Sequence, residues 1–258
     1  ILHYVRQGGK RLRPALVWWA CEAVGGNPEF VLPAAGAIEL SHTWTLVHDD
    51  IIDNDDLRRG APSMHAYYRE LWRARITPDK LDNWSRNLAM LVGDIQQALA
   101  ISMLNQLGKN VDQHLVTWLI NDLTSNWVPE VLNGEMLDME YAARPWDQIE
   151  ETDIINMLDK KTASTLAWCG RTGALIGLNK LELEHGLVKL IEEVCRRAGL
   201  AFQLQDDILG VFGSEEETGK SADSDLKQGK CTLLVLKVLE MGTEEQKQYV
   251  KAVWGKAE

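Results

Sequence analysis

Apolar residues recur at intervals of three and four along almost the whole chain, whereas the strict alternation of half-buried β-strands is nearly absent. This periodicity predicts an all-α protein. Prolines and glycines divide the pattern, because proline suits the first turn of a helix and glycine its end. We expect helices from Pro14 to Gly25, from Pro33 to about Asn54, after Thr77-Pro78 and over about 82–107, 112–140, 152–176 and 186–212, with a capping box at Thr243 before a last helix.

Length and composition allow a large apolar core, since 45% of the 258 residues are hydrophobic. We expect one large domain that covers residues 1–258. The net charge of −11 excludes nucleic acid as the main partner, because binding a phosphate backbone requires a basic face. Basic residues are nevertheless clustered locally, near aspartate clusters. This combination favours an anionic small molecule that is bound through a metal ion.

The cysteines and the apolar runs indicate the cellular setting. Four cysteines lie far apart and form no Cys-x-x-Cys pair, so we predict buried, reduced thiols in a cytoplasmic protein. No apolar run approaches the roughly 20 residues that span a bilayer, and no signal peptide is recognisable, so no transmembrane segment is expected. The chain begins at Ile1 rather than methionine and ends in a charged stretch, from which we expect a piece of a longer polypeptide.

Two aspartate clusters on helical sequence indicate a metal site. The first contains Asp49, Asp50 and Asp53, and the second contains Asp206 and Asp207. Because a helix turns once in about 3.6 residues, Asp49 and Asp53 share a face and can direct two carboxylates at one cation. Mg²⁺ is usually bound by one or two carboxylates together with water and substrate phosphate oxygens. The pattern therefore predicts magnesium ions that bind a phosphate-containing substrate.

Each aspartate cluster taken alone is also compatible with a solvated helix surface. The flanking residues favour the metal site, because apolar side chains precede both clusters and a buried charge without a partner is costly. His42 lies two helical turns before Asp49, and Gln203 lies three residues before Asp206, so both share the faces of the aspartates. For His42, a structural role in the core is the open alternative.

Basic residues flank the first aspartate cluster in the sequence. Lys10, Arg11 and Arg13 occur where a glycine turn leads into a helix, and backbone N–H groups at such a place also favour an anion. Arg58 and Arg59 follow the cluster, and adjacent arginines point in different directions, so they can serve two different phosphate groups. The alternative for both groups is a solvated charged surface.

The motifs together resemble the trans-isoprenyl diphosphate synthases, and the resemblance covers nearly the whole chain. Its elements are Gly8 to Pro14, Glu39 with His42, His48 to Asp53, Asp56 to Gly60, Gly93-Asp94, Lys161-Thr162, Phe202 to Asp207, Gly219-Lys220 and Gly229-Lys230. The resemblance implies an all-α, single-domain helical bundle of the isoprenoid synthase type, with a central cavity between two aspartate-bearing helices. It also implies a homodimer, and it indicates that this chain lacks the first and last helices of full-length members.

The resemblance implies a Mg²⁺-dependent prenyl transfer, in which isopentenyl diphosphate condenses with an allylic diphosphate (dimethylallyl, geranyl or farnesyl). Three Mg²⁺ ions per active site would be bound by Asp49, Asp50, Asp53, Asp206 and Asp207. The allylic diphosphate would contact Arg58, Lys161, Thr162, Gln203, Lys220 and Lys230. Isopentenyl diphosphate would contact Lys10, Arg13, His42 and Arg59. The catalytic residues would be Asp49, Asp50, Asp53, Lys161, Gln203 and Asp206.

Product length depends, in this resemblance, on Trp44 and Thr45, which precede the first aspartate cluster by five and four residues. Both positions would form the floor of the elongation cavity, and a bulky indole there would stop the growing chain after few additions. The motif from Asp49 to Asp53 has no two-residue expansion, so it resembles that of short-chain members, which make C15 to C20 products. Helix geometry alone places Thr45 on the aspartate face and Trp44 roughly 140° away from Asp49. The alternative for Trp44 is core packing.

The sequence departs from the family pattern in several places, among them Cys231 after Lys230, and two other functions stay open. Gly210 stands where many members have the last aspartate of the second motif, and about sixteen extra residues lie around Arg69 to Trp84. A terpene cyclase also ionises an allylic diphosphate but needs no second diphosphate site, so the basic residues assigned to isopentenyl diphosphate favour chain elongation. A regulatory subunit of a heteromeric synthase could lose metal ligands, whereas the first cluster here is intact.

Overall fold

Most of the described residues lie in helices, as the periodicity of the apolar residues predicts. The structure is a computed structural model that describes residues 1–213 and 229–254. Its helices are α1 (His3–Arg6), α2 (Leu12–Ala23), α3 (Leu32–Ile52), α4 (Met64–Trp72), α5 (Pro78–Asn105), α6 (Gln113–Asp122), α7 (Val128–Ala143), α8 (Glu151–Leu158), α9 (Ser164–Leu178), α10 (Gly186–Phe212), α11 (Leu233–Met241) and α12 (Glu244–Val253). Short 3₁₀ turns cover Pro28–Val31, Gln106–Lys109 and Trp146–Gln148. The predicted all-α class is confirmed.

The predicted helix starts agree with the structure. Proline stands in the first turn of both α3 and α5, where the missing N–H costs no helical hydrogen bond. Thr77 is the N-cap residue of α5 but forms no capping hydrogen bond through its side chain. The capping box at Thr243 is present, because its hydroxyl accepts from the Gln246 N–H and the Gln246 side chain accepts from the Thr243 N–H.

Two of the predicted long helices contain a π-helical turn. Leu123–Trp127 joins α6 to α7, and Asp159–Ala163 joins α8 to α9. Each such turn adds a residue to the helix, which apolar spacing does not reveal, so the sequence predicted continuous α-helices here. The second turn contains Lys161 and Thr162, two of the predicted substrate contacts. π-Helical turns within α-helices frequently occur at functional sites.

A two-stranded hairpin follows α3, although no strand was predicted. In β1 (Leu57–Arg58) and β2 (Ala61–Pro62), Leu57 pairs with Pro62 and Arg58 pairs with Ala61. The two residues of the turn have positive φ angles, 56° at Arg59 and 73° at Gly60. A two-residue type I′ turn requires this conformation at both positions. The hairpin therefore determines how the two adjacent arginines are presented.

The described residues form two compact units, each of which is considered by itself. The first unit comprises Ile1–Asn121 and Cys169–Val188, and the second comprises Asp122–Trp168 and the chain from Lys189 onward. In the first unit α3 packs against α2, α4 and α5. Its aspartate-bearing end lies beside a buried cluster of Tyr4, Val47, Met64, Ala89 and Val92. The expectation of a single domain over residues 1–258 stays a prediction.

The second unit is built around α7, α8 and the π turn that follows α8. Its apolar cluster includes Tyr141, Ile154 and Met157, with Leu200 and Leu204 of α10 packed against it. Gly134 of α7 permits a close approach to the π turn, because a Cβ atom there would lie only 2.4 Å from the backbone nitrogen of Lys161. Close packing thus holds Lys161 against α7.

All four cysteines are buried and none forms a disulfide bond. Burial raises the pKa of the thiols of Cys21 and Cys231 to about 11, so both stay protonated at neutral pH. A protonated, buried thiol is a small apolar side chain rather than a nucleophile. The prediction of buried, reduced thiols is confirmed.

One described segment, Pro78–Lys109, is long and apolar enough to span a membrane by length and composition, and the sequence analysis did not foresee it. A third of its apolar window is buried. In the first unit its helix, α5, packs along α3 and α4. Helices in protein cores pass the same test, so this single helix is weak evidence for a membrane segment.

Candidate active site

The first aspartate cluster lies at the C-terminal end of α3. Asp53 is the C-cap residue, and its N–H donates to the Asp49 carbonyl over 2.8 Å, so the two residues are one helical turn apart. Their carboxylates therefore share a face, as predicted. The Asp49 side chain is 18% exposed, whereas that of Asp50 is completely buried. The cluster thus divides into an accessible pair and one internal carboxylate.

The buried Asp50 carboxylate is held by two neighbours. Arg58 of the hairpin donates to Oδ1 through Nε at 2.8 Å and through Nη2, which also lies 3.1 Å from Asp49 Oδ2. The hydroxyl of Tyr4 donates to Oδ2 and accepts from the Met64 N–H over 2.7 Å. Burial raises the pKa of Asp50, although Arg58 and Tyr4 oppose this effect.

These contacts bear on the predicted role of Asp50 as a metal ligand, which stays a prediction. A metal ion cannot reach a carboxylate that has no exposed surface unless the surroundings rearrange. In the described geometry Asp50 contacts Arg58 and Tyr4, while Asp49 and Asp53 are the more accessible carboxylates of the cluster. Tyr4 was not recognised from the sequence, because nothing local distinguishes a tyrosine whose partner lies 46 residues away.

A basic group, formed by Arg13, His42 and Arg59, lies in the same unit as the aspartate cluster of α3. Arg13 Nη1 donates to His42 Nε2 over 3.1 Å, so the imidazole acts as the acceptor. Burial, together with the positive charges of Arg13 and Arg59, lowers the pKa of His42 well below its ordinary value. His42 is therefore neutral at pH 7, and the positive charge of the group belongs to the arginines. Such a group attracts an anion.

One of the hairpin arginines, Arg59, contacts the glycine turn before α2. Arg59 Nη1 donates to the Gly8 carbonyl, and a Cβ atom on Gly9 would lie 2.9 Å from the same nitrogen. Lys10 is exposed beside this turn. The neighbouring Arg11 is bonded instead to Glu39 of α3 and to the Val5 carbonyl. Arg11, the one cation of this motif that was not assigned to a substrate, is therefore held by contacts within the protein.

Trp44 and Thr45 occupy different surroundings on α3. Trp44 is buried, and its ring packs edge-on against His48 with 5.6 Å between the centroids. A Cβ atom on Gly93 of α5 would lie 2.7 Å from His48 Nε2 and 3.3 Å from Trp44 Cδ1. The Thr45 hydroxyl donates to the His42 carbonyl over 2.8 Å. Trp44 thus belongs to the α3–α5 contact, as the core-packing alternative requires.

The second aspartate cluster lies on α10 in the second unit. Asp206 is exposed and Asp207 is buried, a division like that of Asp49 and Asp50. The Gln203 amide donates to Asp207 Oδ1 over 3.0 Å, and the Thr162 hydroxyl donates to Gln203 Oε1 over 2.8 Å. The structure therefore brings together three residues that the sequence analysis predicted separately.

Lys161 is held between two carboxylates of α7. Its Nζ lies 2.7 Å from Glu135 Oε2 and 2.6 Å from Asp138 Oδ2, while Lys230 Nζ lies 3.9 Å from the same Asp138 oxygen. Glu135 and Asp138 were missed, although their spacing of three residues on a helix, near the conspicuous Gly134, was a usable signal. Lys220, predicted to contact the allylic diphosphate, lies outside the described residues.

The carboxylates suit Mg²⁺ by chemistry and spacing, since hard oxygen donors are its preferred ligands. Within residues 1–213 and 229–254, however, no three His, Cys, Asp or Glu side chains converge on a common metal position. Mg²⁺ bound by one or two carboxylates, water and substrate phosphate oxygens needs no such group. The donor set therefore fits an ion that arrives with its phosphate substrate.

The sequence matches the polyprenyl synthetase family over residues 1–258. This chain belongs to the polyprenyl synthetase family. It is 36% identical to the geranylgeranyl diphosphate synthase of Methanosarcina mazei over 94% of this chain and 67% of that protein. It is 33% identical to the enzyme of that name from Saccharolobus solfataricus over 99% of this chain and 70% of the relative. The family resemblance of the motifs is thereby confirmed.

A solved structure supports the fold of this polyprenyl synthetase. The geranylgeranyl pyrophosphate synthase of Corynebacterium glutamicum, complexed with isoprenyl diphosphate and magnesium, has a TM-score of 0.86 and 30% sequence identity, covering 97% of this chain and 71% of that one. The helices described above therefore have the isoprenoid synthase arrangement that the motifs implied.

Proposed function

We propose that this polyprenyl synthetase is a trans-prenyltransferase that condenses isopentenyl diphosphate with an allylic diphosphate to give a C15–C20 trans-prenyl diphosphate. The proposal depends on one observation, that the first unit contains both an acidic and a basic group of side chains. Asp49 and Asp53 present carboxylates to a metal-bound diphosphate, and the basic group around Arg13 suits a second diphosphate. Isoprenyl diphosphate and magnesium in a related enzyme support the same substrate class.

The metal ligands in this proposal are the accessible carboxylates. Asp49 and Asp53 in the first unit, and Asp206 in the second, are the residues that would hold Mg²⁺, with three ions per active site. When bound, Mg²⁺ stabilises the negative charge of the departing diphosphate. Asp50 and Asp207 are instead proposed as positioning carboxylates, because each is buried and hydrogen-bonded to a residue assigned to the allylic diphosphate: Arg58 for Asp50 and Gln203 for Asp207.

The remaining predicted residues bind and orient the two substrates. Arg58, Lys161, Thr162, Gln203, Lys220 and Lys230 are assigned to the allylic diphosphate, and Lys10, Arg13, His42 and Arg59 to isopentenyl diphosphate. The isopentenyl double bond attacks the allylic carbon, a C–C bond forms, and the C–O bond to diphosphate breaks. The proton lost from the isopentenyl unit goes to the released diphosphate. The protein contributes orientation and exclusion of water rather than a covalent step.

Two competing functions are disfavoured by particular residues. A terpene cyclase ionises one diphosphate, so it gives no reason for Arg13, His42 and Arg59 to lie together. A regulatory subunit needs no metal ligands, so it gives no reason for Asp49 and Asp53 to be accessible beside the Arg58–Asp50 pair. We further infer a homodimer and a cytoplasmic location, which the family resemblance supports.

The test is incubation of the purified protein with Mg²⁺, radiolabelled isopentenyl diphosphate and each allylic diphosphate in turn. A labelled C15 or C20 alcohol after dephosphorylation is the expected result. A cyclic hydrocarbon formed without isopentenyl diphosphate would instead identify a cyclase. No product from any pair, with a folded protein, would reject the proposal in favour of the regulatory subunit.

A further inference from the structure

Asp56 joins the hairpin that follows α3 to the C-terminal half of α4. Its carboxylate accepts two hydrogen bonds from the Arg69 guanidinium, from Nη1 at 3.0 Å and Nη2 at 2.5 Å, and one from His65 Nε2 at 3.0 Å. Its carbonyl accepts from the Ser63 N–H over 2.9 Å. The hydrogen bonds from Arg69 lower the pKa of Asp56, so the ion pair is fully charged at neutral pH. The planar guanidinium of Arg69 therefore forms a bidentate contact with the residue that precedes the hairpin.

A second arginine, Arg86, contacts the C-terminal end of α3. Arg86 of α5 donates through Nη1 to the Ile51 carbonyl over 3.0 Å and through Nη2 to Asn54 Oδ1. Helix-end carbonyls lack an intrahelical partner, so this contact caps α3. Asp82 connects the two arginines, because it accepts from Arg86 Nε over 2.9 Å and lies 3.4 Å from Arg69 Nε in an ionic contact.

The segment that Arg69 and Arg86 contact contains side chains assigned to both diphosphates. We name residues 53–60 the RRG loop. It begins at Asp53 and contains Arg58, which holds Asp50, and Arg59, which lies over the glycine turn. Three of its residues, Asn54, Arg59 and Gly60, have positive φ angles of 61°, 56° and 73°. For residues other than glycine this conformation is uncommon and must be imposed by surrounding contacts.

We propose that Arg69, acting together with Arg86, is a positioning residue that holds the RRG loop in its substrate-binding conformation. Arg69 and Asp82 belong to the stretch of about sixteen residues, Arg69 to Trp84, that the resemblance to the family implies is extra. The stretch thus acts as a brace for the diphosphate-binding loop. Both arginines are partly exposed, with side chains 32% and 23% accessible. Their effect is therefore on the loop conformation rather than on the global stability, to which exposed ion pairs contribute little.

Removal of the Arg69 contacts is expected to change KM rather than kcat. Without Arg69 the loop is in the competent conformation for only a fraction of the time, and the apparent affinity falls by that fraction. Saturating substrate restores the competent conformation, so kcat is kept. If the competent fraction falls to about one tenth, the KM values for both diphosphates rise about tenfold. Loss of folded protein has the opposite signature, since it lowers kcat and leaves KM unchanged.

The experiment compares Arg69→Ala, Arg69→Lys and Arg73→Ala. Arg73 is a matched control, because it is the C-cap residue of the same helix, has a side-chain exposure of 70% and, among the described residues, forms an ion pair only with Glu70. We expect Arg69→Ala to raise both KM values about tenfold with kcat changed less than twofold. Lysine keeps the charge but loses the bidentate contact, so an intermediate rise is expected. Arg73→Ala should match the unaltered protein.

Hydrogen exchange of the substrate-free protein supplies a readout that does not depend on turnover. The amides of residues 54–63 should exchange at least tenfold faster in Arg69→Ala, while those of α5 are unchanged. The KM prediction rests on the proposed function, but the exchange prediction does not. A protein that makes no prenyl product yet shows faster loop exchange supports the brace and rejects the function. Unchanged loop exchange, or a fall in kcat alone, would overturn the brace.

Discussion

The Tyr4 hydroxyl donates a hydrogen bond to Oδ2 of the fully buried Asp50, linking the short first helix to the aspartate motif of α3. Arg58 occupies the other oxygen of the same carboxylate. Asp50 is thereby fixed from two sides, and the direction of Arg58 is fixed with it. The middle aspartate of the motif thus contacts two neighbours inside the protein.

Tyr4→Phe removes only this hydroxyl. We expect the free energy of unfolding to fall by about 1–3 kcal/mol, because Asp50 and the Met64 N–H each lose a buried partner. Denaturant titration measures this change. Tyr67→Phe is the control, since Tyr67 is 39% exposed. Equal stability of the two variants would contradict the role of Tyr4.

Asp49→Asn and Asp50→Asn should differ. In Asp49→Asn we expect a folded protein whose turnover is lower by orders of magnitude, because a proposed Mg²⁺ ligand is lost. In Asp50→Asn the buried Arg58 loses its main counter-charge, so the melting temperature should fall as well. Steady-state kinetics and thermal melts on both variants test the distinction. Near-normal turnover of Asp49→Asn would reject the metal assignment.

The two diphosphate sites can be separated kinetically. Arg13→Ala or Lys10→Ala should raise the KM for isopentenyl diphosphate much more than the KM for the allylic substrate, because these cations are assigned to one site only. Arg58→Ala should do the reverse. Initial rates measured with each substrate varied in turn provide the comparison. Equal weakening of both substrates by both variants would show that the assignment of separate roles is wrong.

Trp44→Ala is expected to lengthen the prenyl products, if the indole forms the floor of the elongation cavity. The buried position of Trp44 against His48 means that the variant also loses about 3–5 kcal/mol of stability. Thr45→Ala serves as the smaller change on the same helix. Chromatography of dephosphorylated products decides the matter, and an unchanged length profile from a folded, active Trp44→Ala protein would assign the floor to another residue.

His42 should make the protein less stable in mild acid. Burial and the nearby arginines lower its pKa in the folded state, whereas the unfolded chain has the ordinary value of about 6.5. Between these two values the unfolded state binds more protons, so the free energy of unfolding falls as the pH falls below about 7. His42→Gln should have a shallower dependence in denaturant titrations from pH 7.5 to 5.5. An identical slope would contradict the shift. His65, whose pKa is also lowered, is present in both proteins and cancels in the comparison.

The sequence predicted most of the helices, but not which of the candidate side chains are buried. Helix starts at Pro33 and Pro78 and the capping box at Thr243 were correct, because these signals act within one turn of the chain. The π turn at Lys161 was missed, since one added residue barely alters apolar spacing. Asp50 and Asp207 were grouped with Asp49 and Asp206, because spacing alone does not show which carboxylate is buried.

The all-α class, the family and the order of the motifs follow from the sequence, because local periodicity and short residue patterns encode them. The side-chain partners emerge only when the chain is folded: Tyr4 with Asp50, Arg69 with Asp56, and Lys161 with Glu135 and Asp138. These pairs are separated by 46, 13, 26 and 23 residues in the chain. Such contacts depend on how distant segments pack, and packing is a property of the whole fold.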